Sequence, residues 1–434
     1  MEEKKRYHSV RLDKTQCRGC TNCLKHCPTE AIRVRGGRAH IIDERCIDCG
    51  ECIRICEYHA KIAVTDPFES ISNYKYSIAL PAPSLYSQFK NIKSRETILE
   101  ALKKIGFTDV FEVARGADIA TRAIRDRLEK PGLPRPLISS ACPTVVRLIQ
   151  VRFPSLIDNI VDVRQPMEIA GMVAKDEFCK KHQCDPSEVG CFFITPCPAK
   201  MTAIHNPIGH KESAFAGAIS MVDIYGRMRP FVSEQLTETT DLPTTYLGVG
   251  WGTSSGEALA VCPGNSLCVD GIQNVSRVLE EIENDKLSDL VYFEGNACMG
   301  GCVGGPLTFE NNYVAKNTLR KLVDGMEKKD PSEQVSRGLM QKYPLYNDEE
   351  IVPNSAMQLD ENIAVAIQKM DRMNEIMERL PGYDCGSCGS PTCRTFAEDI
   401  VRGFCGELDC IHNLKDRIRV MAQQMVELAQ TKRE

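Results

Sequence analysis

The sequence lacks the segments that would bind it to a membrane. No run reaches the roughly eighteen apolar residues needed to span a bilayer. The first residues, Met1 to Arg6, do not form the apolar stretch of a signal peptide. These absences predict a cytoplasmic protein that neither spans nor binds a membrane.

A sustained basic tract is also missing. The formal net charge is -5 over 434 residues. The chain therefore has no electrostatic surface suited to nucleic acid or to an anionic membrane. We expect its partners to be proteins and small molecules.

Cysteine, by contrast, is abundant, with 22 residues in a chain long enough for two or three domains. Many cysteines in a small secreted protein indicate disulfides, but this chain is neither small nor predicted to be secreted. In a reducing compartment, grouped cysteines are more typical of metal ligands.

The first cysteine block contains two runs with the spacing C-x2-C-x2-C-x3-C, which resemble a bacterial ferredoxin with two 4Fe-4S clusters. In that pattern the fourth cysteine of each run ligates the other cluster. The second run has Glu57 where the pattern has proline, which should affect only a turn. Two structural zinc sites are the alternative, but zinc sites favour separated C-x2-C pairs. The resemblance implies the ligand sets Cys17, Cys20, Cys23 and Cys56 for one cluster and Cys46, Cys49, Cys52 and Cys27 for the other.

Three apolar runs in the middle of the chain each end in cysteine. Cys142 follows residues 136–138, Cys197 follows residues 191–194, and the glycine-rich turn with Cys298 and Cys302 follows residues 290–293. Open α/β sheets place their ligands at the carboxyl ends of strands. The three cysteine segments can therefore converge on one cavity.

Strand-like and helix-like segments alternate from about residue 76 to residue 325, which predicts parallel α/β structure. Polar residues 66–74 read as a linker before this region, and charged residues 327–350 as a solvated connection after it. The predicted strands are 76–80, 107–113 and 245–250, and the predicted helices are 97–105, 116–130 and 271–287.

The three cysteine segments resemble, in order, the three signature motifs of the FeFe-hydrogenases. The resemblance implies a two-lobed domain with parallel sheets around an H-cluster, a 4Fe-4S cubane joined to a diiron unit with CO, cyanide and a bridging dithiolate. By resemblance, Cys302 bridges the two parts, and Lys200 and Ser84, next to Pro83, contact the cyanides. The implied cubane ligands are Cys142, Cys197, Cys298 and Cys302.

Several positions depart from efficient members of that family. Ala141 replaces a cysteine that relays protons, and Thr195 and Asn296 stand where cofactor-contacting methionines are usual. The carboxylates of the usual proton path align with a segment that has Arg122, Arg125 and Arg127 instead. Positioned acid-base groups contribute about 10²–10⁴-fold to rates. We therefore expect no titratable group near the site and low turnover.

A third cysteine group follows a predicted helix at about 361–380. Cys385, Cys388, Cys393 and Cys410 have the spacing C-x2-C-x4-C-x16-C, with Cys405 as the rival fourth ligand. The group resembles single 4Fe-4S modules of electron-transfer and corrinoid proteins, and the C-terminal modules of hydrogenases regarded as sensors. A zinc site is the alternative.

The last segment is helix-like and has an apolar stripe. Because only about three heptads are present, we predict that the stripe packs on its parent domain. A dimer or partner helix is the alternative. The stripe consists of Leu414, Ile418, Met421, Met425 and Leu428.

Together these patterns predict five segments: a two-cluster α+β ferredoxin-like domain (1–68), an α/β H-cluster domain (69–345), a linker and helix (346–380), a small helical 4Fe-4S module (381–412) and an amphipathic helix (413–434). Six cysteines remain as free thiols: Cys179, Cys184, Cys191, Cys262, Cys268 and Cys405.

The predicted function is the interconversion of H2 with protons and electrons, slow and H2-sensing, with electrons relayed through the three additional 4Fe-4S clusters. Its partners would be an electron carrier or signalling protein and maturation factors for the diiron unit, with a homodimer left open. The alternative is a non-catalytic iron-sulfur protein of cluster assembly or electron transfer, without a diiron unit.

Overall fold

The computed structural model describes residues 7–90, 92, 94–232, 243–262 and 264–431. Met1 to Arg6, considered above as a signal-peptide region, and the last three residues of the predicted C-terminal helix lie outside this range. None of the described helices combines the length and apolar character needed to cross a membrane.

Strands and helices alternate over most of the chain. The strands are β1 (Val10–Leu12), β2 (Ile32–Arg35), β3 (Arg38–Ile41), β4 (Lys61–Ala63), β5 (Tyr76–Pro81), β6 (Asp109–Val110), β7 (Leu137–Ile138), β8 (Val189–Thr195), β9 (Gly217–Ser220), β10 (Ser266–Asp270) and β11 (Tyr292–Asn296). The α-helices are α1 (Asn22–Lys25), α2 (Glu51–Arg54), α3 (Arg95–Lys104), α4 (Val113–Leu128), α5 (Pro143–Arg152), α6 (Pro166–His182), α7 (Pro198–His205), α8 (Met221–Val232), α9 (Tyr246–Gly250), α10 (Gly256–Val261), α11 (Ile272–Glu283), α12 (Asn312–Asp324), α13 (Pro331–Gln334), α14 (Arg337–Lys342), α15 (Ile363–Arg379), α16 (Cys393–Val401) and α17 (Ile411–Thr431).

The chain divides into two compact units. The larger unit comprises Met1–Val10, Ile47–Gly50 and Ala63–Pro353, and the smaller unit comprises Arg11–Cys46, Glu51–Ile62 and Asn354–Glu434.

Two parallel sheets organise the larger unit. One has the strand order β6-β5-β8-β9 and the other has the order β10-β11-β7, and neighbouring strands in both sheets are parallel. All seven residues of β8 are buried, as expected for a strand covered on both faces. The predicted α/β fold with parallel sheets is confirmed.

Two predicted elements of the larger unit are wrong. Residues 245–250 form helix α9 instead of a strand, because the Thr245 hydroxyl caps it by accepting from the N–H of Gly248. Thr245 is itself anchored by Asp118, whose carboxylate accepts from the Thr245 N–H at 2.8 Å. The predicted strand 107–113 shortens to Asp109–Val110, and α4 begins at Val113.

Two predicted connections also have more structure than expected. The linker at 66–74 contains the 3-10 helix Phe68–Asn73. The connection at 327–350 contains α13 and α14, and its Val335 and Leu345 are buried in a hydrophobic core with Tyr292. Their apolar side chains are isolated in a charged sequence, so only the tertiary contact reveals them.

The smaller unit combines short antiparallel strands with the C-terminal module. β2 pairs with β3 in antiparallel register, Ile32 opposite Ile41. The backbone N–H of Val34 in β2 donates to the carbonyl of Gly389 at 2.8 Å. Arg33 forms a buried ion pair with Asp399 at 2.6 Å. The C-terminal module therefore packs directly on the ferredoxin-like strands of this unit.

The C-terminal helix α17 contradicts its prediction. Its apolar side chains, including Ile418 and Met425, are exposed instead of packed on a parent domain. The hydrophobic core of the C-terminal module ends at Cys410, immediately before the helix begins.

Candidate iron-sulfur centre

The three cysteine segments of the larger unit converge from the two parallel sheets. Cys142 follows β7 and Cys298 follows β11, which are neighbours in one sheet, while Cys197 follows β8 of the other sheet. Cys302 starts a 3-10 helix four residues after Cys298. Charge interactions among these four thiols affect the pKa values of Cys197, Cys302 and the nearby Lys200, so all four lie close together.

Two of the four cysteines cap helices. Cys142 is the N-cap of α5 and Cys197 is the N-cap of α7, and both helices have proline in the first turn. Proline is favoured there because its fixed φ suits the helix start and no N–H is lost. The positive end of each helix dipole favours a thiolate or an anionic cluster at these positions.

The glycine-rich turn brings the third motif against the second. A Cβ on Gly305 would lie 2.2 Å from the carbonyl oxygen of Pro196, and the N–H of Leu307 donates to that same oxygen at 2.9 Å. Gly301 has a φ of +89° and lies against the backbone of Ser254. Only glycine fits both positions, because a side chain would force the cysteine-bearing backbone away.

One cavity collects most of the predicted site residues. Cys142, Cys302 and Lys200 line it, together with the predicted Pro83, Ala141 and Asn296. Thr195 does not line it: its hydroxyl accepts from the N–H of Cys197 at 3.2 Å and donates to the carbonyl of the same residue at 2.8 Å. Thr195 therefore orients the turn at Cys197 without lining the cavity.

Lys200 supplies a positive charge to the cavity. Burial lowers its pKa, but the thiolates of Cys302, Cys197, Cys142 and Cys298 outweigh burial, so the pKa lies above its ordinary value. Its ammonium group donates to the carbonyl oxygen of Ala141 at 3.3 Å. A lysine has three N–H donors. In the described part of the chain, the ammonium makes no other hydrogen bond.

Three buried polar atoms at the cavity have no hydrogen-bond partner among the described residues: the hydroxyl of Ser84, the amide oxygen of Gln165 and the indole N–H of Trp251. Gln165 and Trp251 line the cavity, and Ser84 follows the lining residue Pro83. Buried polar groups are normally paired. Four thiols with spare donors around them fit an iron-sulfur group that carries anionic ligands such as cyanide.

Sequence reasoning missed Gln165 and Trp251. Trp251 is the single tryptophan of the chain and was a usable signal. Gln165 has no local pattern that would distinguish it from a surface glutamine.

The expectation that no titratable group lies near the site is wrong, because Glu257 and Glu294 both line the cavity. The carboxylate of Glu257 accepts from the Ser139 hydroxyl at 2.8 Å and from the Tyr292 hydroxyl at 2.6 Å. Burial, followed by the charge of Glu294, raises the pKa of Glu257 to about 8. This carboxyl group can therefore exchange a proton near neutral pH.

Glu294 is held mainly by backbone donors. It accepts from the N–H groups of Ser255 at 3.0 Å and Ala258 at 2.7 Å, and from the Asn296 amide at 2.6 Å. Burial raises its pKa despite these bonds. Cys268, predicted to be a free thiol, accepts from the same Ser255 N–H at 3.0 Å, so it belongs to this buried polar network.

The arginines that replace the usual carboxylates point to other partners. Arg125 binds Asp330 at 2.9 Å, and Arg127 binds Asp162 at 2.6 Å. Neither arginine lines the cavity.

A second cavity, in the smaller unit, collects one predicted ferredoxin set. It is lined by Cys17, Cys20, Cys23 and Cys56, the combination that takes its fourth cysteine from the other run. The N–H of Ala60 donates to the Cys56 sulfur at 3.3 Å. The other predicted set is Cys27, Cys46, Cys49 and Cys52. Cluster ligation by both sets stays a prediction.

Cys410 and Cys405 are the two candidates for the fourth ligand of the C-terminal cluster. Nearby Cys410 and Cys385 both act to raise the pKa of Cys388. Cys405 interacts with Asp399 and with Arg35, which also donates to the carbonyl of Cys388. Cys410 stays the predicted fourth ligand.

We expect Cys410→Ala to lose one 4Fe-4S cluster, because a cubane needs its fourth thiolate. Iron and sulfide analysis with EPR of the reduced protein measures this loss. Cys405→Ala is the matched control and should keep its iron. Loss of the cluster only in Cys405→Ala would reverse the assignment.

The comparisons with known proteins match the same regions. The model for the iron-only hydrogenase large subunit, C-terminal domain, matches residues 75–224, and a 4Fe-4S dicluster domain matches residues 9–57. A model for an iron-sulfur cluster motif matches residues 380–412.

Two curated relatives are hydrogenases by name. The chain is 28% identical over 212 residues to the periplasmic Fe hydrogenase large subunit of Nitratidesulfovibrio vulgaris, which covers 44% of this chain and 50% of the relative. It is 24% identical over 373 residues to iron hydrogenase 1 of Clostridium pasteurianum, which covers 69% of this chain and 65% of the relative. The chain thus spans between half and two thirds of these relatives.

A solved structure shares the fold. A variant of the FeFe-hydrogenase HydA1 from Chlamydomonas reinhardtii matches with a TM-score of 0.50 and 14% identity, covering 67% of this chain and 94% of that chain.

The fold and the four convergent cysteines define an iron-sulfur protein built on two parallel sheets. The family models and the relatives add what it is similar to: residues 75–224 match the C-terminal domain of the iron-only hydrogenase large subunit, and two curated relatives are hydrogenases by name.

Proposed function

We propose that this protein interconverts H2 with protons and electrons at an H-cluster in the larger unit, slowly and in an H2-sensing role. The observation that carries the proposal is the single cavity where Cys142, Cys302 and Lys200 meet, with Cys197 and Cys298 close by. This donor set suits a cubane with an anionic partner group.

The chain's residues would hold the two parts of the cofactor differently. Cys142, Cys197, Cys298 and Cys302 would bind the cubane, with Cys302 shared with the diiron unit. The diiron unit, when bound, supplies an open iron site as Lewis acid and a bridging amine as base. Lys200 would donate hydrogen bonds to an anionic ligand of this unit, since its ammonium has donors to spare.

Buried polar atoms without partners would add to the polar contacts around the diiron unit. The Ser84 hydroxyl and the Trp251 indole N–H are buried donors without partners in the described chain, and the Gln165 amide oxygen is a buried acceptor. Leaving such groups unpaired costs free energy. Bound ligands of the diiron unit would relieve this cost.

Protons would move through the glutamate side of the cavity. Glu257 lines it, and its partner Ser139 also accepts from the N–H of Ala141 at 3.1 Å. Ala141 cannot carry a proton itself. Turnover in this proposal is slow because the proton route through Glu257 lacks a titratable side chain at position 141.

Electrons would pass between clusters within the smaller unit. Val34 lines the cavity of the Cys17 set, and its N–H binds the carbonyl of Gly389, the residue after Cys388. Arg35 donates to the carbonyl of Cys388 and to the Ser390 hydroxyl at 2.9 Å. Val34 thus contacts both cluster regions. This contact supports the C-terminal cluster as the point where electrons are exchanged with an outside carrier or signalling protein.

The proposal is tested by infrared spectroscopy of anaerobic protein supplied with the diiron cofactor. CO and cyanide stretching bands that shift under H2 are expected. If only cubanes form, the alternative function as a non-catalytic iron-sulfur protein takes its place.

A second measurement uses Lys200→Met, which keeps the side-chain length but removes the charge. We expect weaker CO and cyanide bands, because the buried donor to the diiron unit is lost, while the iron of the cubanes is retained. Lys316→Met is the control: Lys316 binds the Ser254 hydroxyl at 2.7 Å but does not line the cavity. Unchanged bands in Lys200→Met would contradict the role of Lys200.

A further inference from the structure

The C-terminal helix α17 presents an apolar seam to solvent. The seam residues have spacings of three and four in strict alternation, and their exposed fractions lie between 40% and 70%. They are Ile411, Leu414, Ile418, Met421, Met425 and Leu428. An alternation of three and four is the heptad pattern of a coiled coil.

The residue types at the seam favour a parallel coiled coil of two helices. Ile411 and Ile418 occupy the first heptad position, and Leu414 and Leu428 occupy the fourth. β-branched residues at the first position with leucine at the fourth favour a two-stranded parallel coiled coil. Because such a pair aligns identical positions, a second copy of the same helix fits the seam.

The flanking positions permit this self-pairing. In a parallel pair, Arg417 faces Ala422 of the second copy, and Gln424 faces Ala429. Facing like charges would destabilise the pair. No like charges face each other at these positions, so nothing there repels a second copy.

The area is also sufficient for a weak but specific dimer. Burying six such side chains from each of two helices removes on the order of 1,000 Å² from water. Areas below about 1,200 Å² are typical of weak, transient complexes, and a biological interface should clear about 1,000 Å². In proteins most helical stability comes from the packing of an amphipathic face, so pairing would also stabilise the helix itself.

We propose that α17 is a dimerisation element through which two copies of this chain pair in parallel along the seam. The inference is independent of the reaction at the cysteine cavity, because it uses only the surface of α17.

The test is light scattering with size-exclusion chromatography on the full chain carrying its clusters. We expect a dimer for the natural sequence and a monomer for Ile418→Glu and Met421→Glu, because a buried charge breaks the seam. Val420→Glu and Val426→Glu are matched controls, since both valines are exposed on the same helix but lie off the seam. They should remain dimeric.

Two outcomes would overturn the proposal: a monomer for the natural sequence at micromolar concentration, or a dimer that the seam variants do not dissociate. Because the substituted residues are exposed on α17, the fold should survive. Unchanged iron content in every variant checks this expectation.

Discussion

Glu257→Gln is expected to lower H2 turnover by about 10²–10⁴-fold, the usual contribution of a positioned acid-base group. The carboxyl of Glu257 lines the cavity, and burial raises its pKa to about 8, so at neutral pH it holds a proton that it can pass on. Glutamine keeps the size of the side chain and one accepting oxygen but cannot titrate. The measurement is H2 oxidation with an artificial electron acceptor, alongside the infrared spectrum.

Glu112→Gln is the matched control. Glu112 is also buried, its pKa is also raised by burial, and it also accepts from a tyrosine, Tyr86, at 2.9 Å. It does not line the cavity. A loss of turnover in both variants, or in neither, would contradict proton transfer through Glu257.

The pH profile gives a second readout of the same route. The Tyr292 hydroxyl donates to Glu257 and lowers its pKa against the effect of burial. Tyr292→Phe should therefore raise that pKa and move the corresponding limb of the rate profile to higher pH. A profile that stays in place would show that another group limits the rate.

Ala141→Cys is expected to raise turnover by about 10²-fold, the lower end of the range for a positioned acid-base group. Ala141 lines the cavity beside the residues predicted to hold the diiron unit, and its N–H already contacts Ser139 of the glutamate network. A thiol there would shorten the route between Glu257 and the reacting centre. Ala141→Ser is the control of similar size, because a hydroxyl is a much weaker acid.

The double variant Ala141→Cys with Glu257→Gln shows whether protons follow one route or two separate routes. If the added thiol uses Glu257 as its next partner, Glu257→Gln should remove the gain. If the thiol opens an independent path, the cost of Glu257→Gln should shrink in its presence, which a double-mutant cycle measures. No gain from Ala141→Cys would mean that proton transfer at this position does not limit turnover, and slow catalysis would need another cause.

The metal-binding character of the chain could be predicted from local spacing. In the two ferredoxin-like runs and at Cys385, Cys388 and Cys393, two to four residues separate neighbouring cysteines, so the pattern is visible without the fold. The parallel sheets were also predictable, because buried strands such as β8 are continuous apolar runs. The cysteines 142, 197 and 298 could be assigned to one cavity because strand ends of this kind meet there.

The elements that were predicted wrongly depend on distant partners. Residues 245–250 read as a strand, but Asp118, more than a hundred residues earlier, anchors the cap that turns them into α9. Val335 and Leu345 lie in a charged segment and are buried only because the core around Tyr292 receives them. No local pattern contains that information.

The chain's own sequence thus determined which cysteines are grouped, where they stand relative to strands, and which family they resemble. Tertiary structure alone decided that Glu257 and Glu294 line the same cavity, that Cys410 lies by Cys388 while Cys405 contacts Arg35, and that the seam of α17 is exposed. The physical reason is that ligand spacing is a short-range property of the chain. Burial, and the pKa shifts that burial causes, are set by residues far apart in sequence.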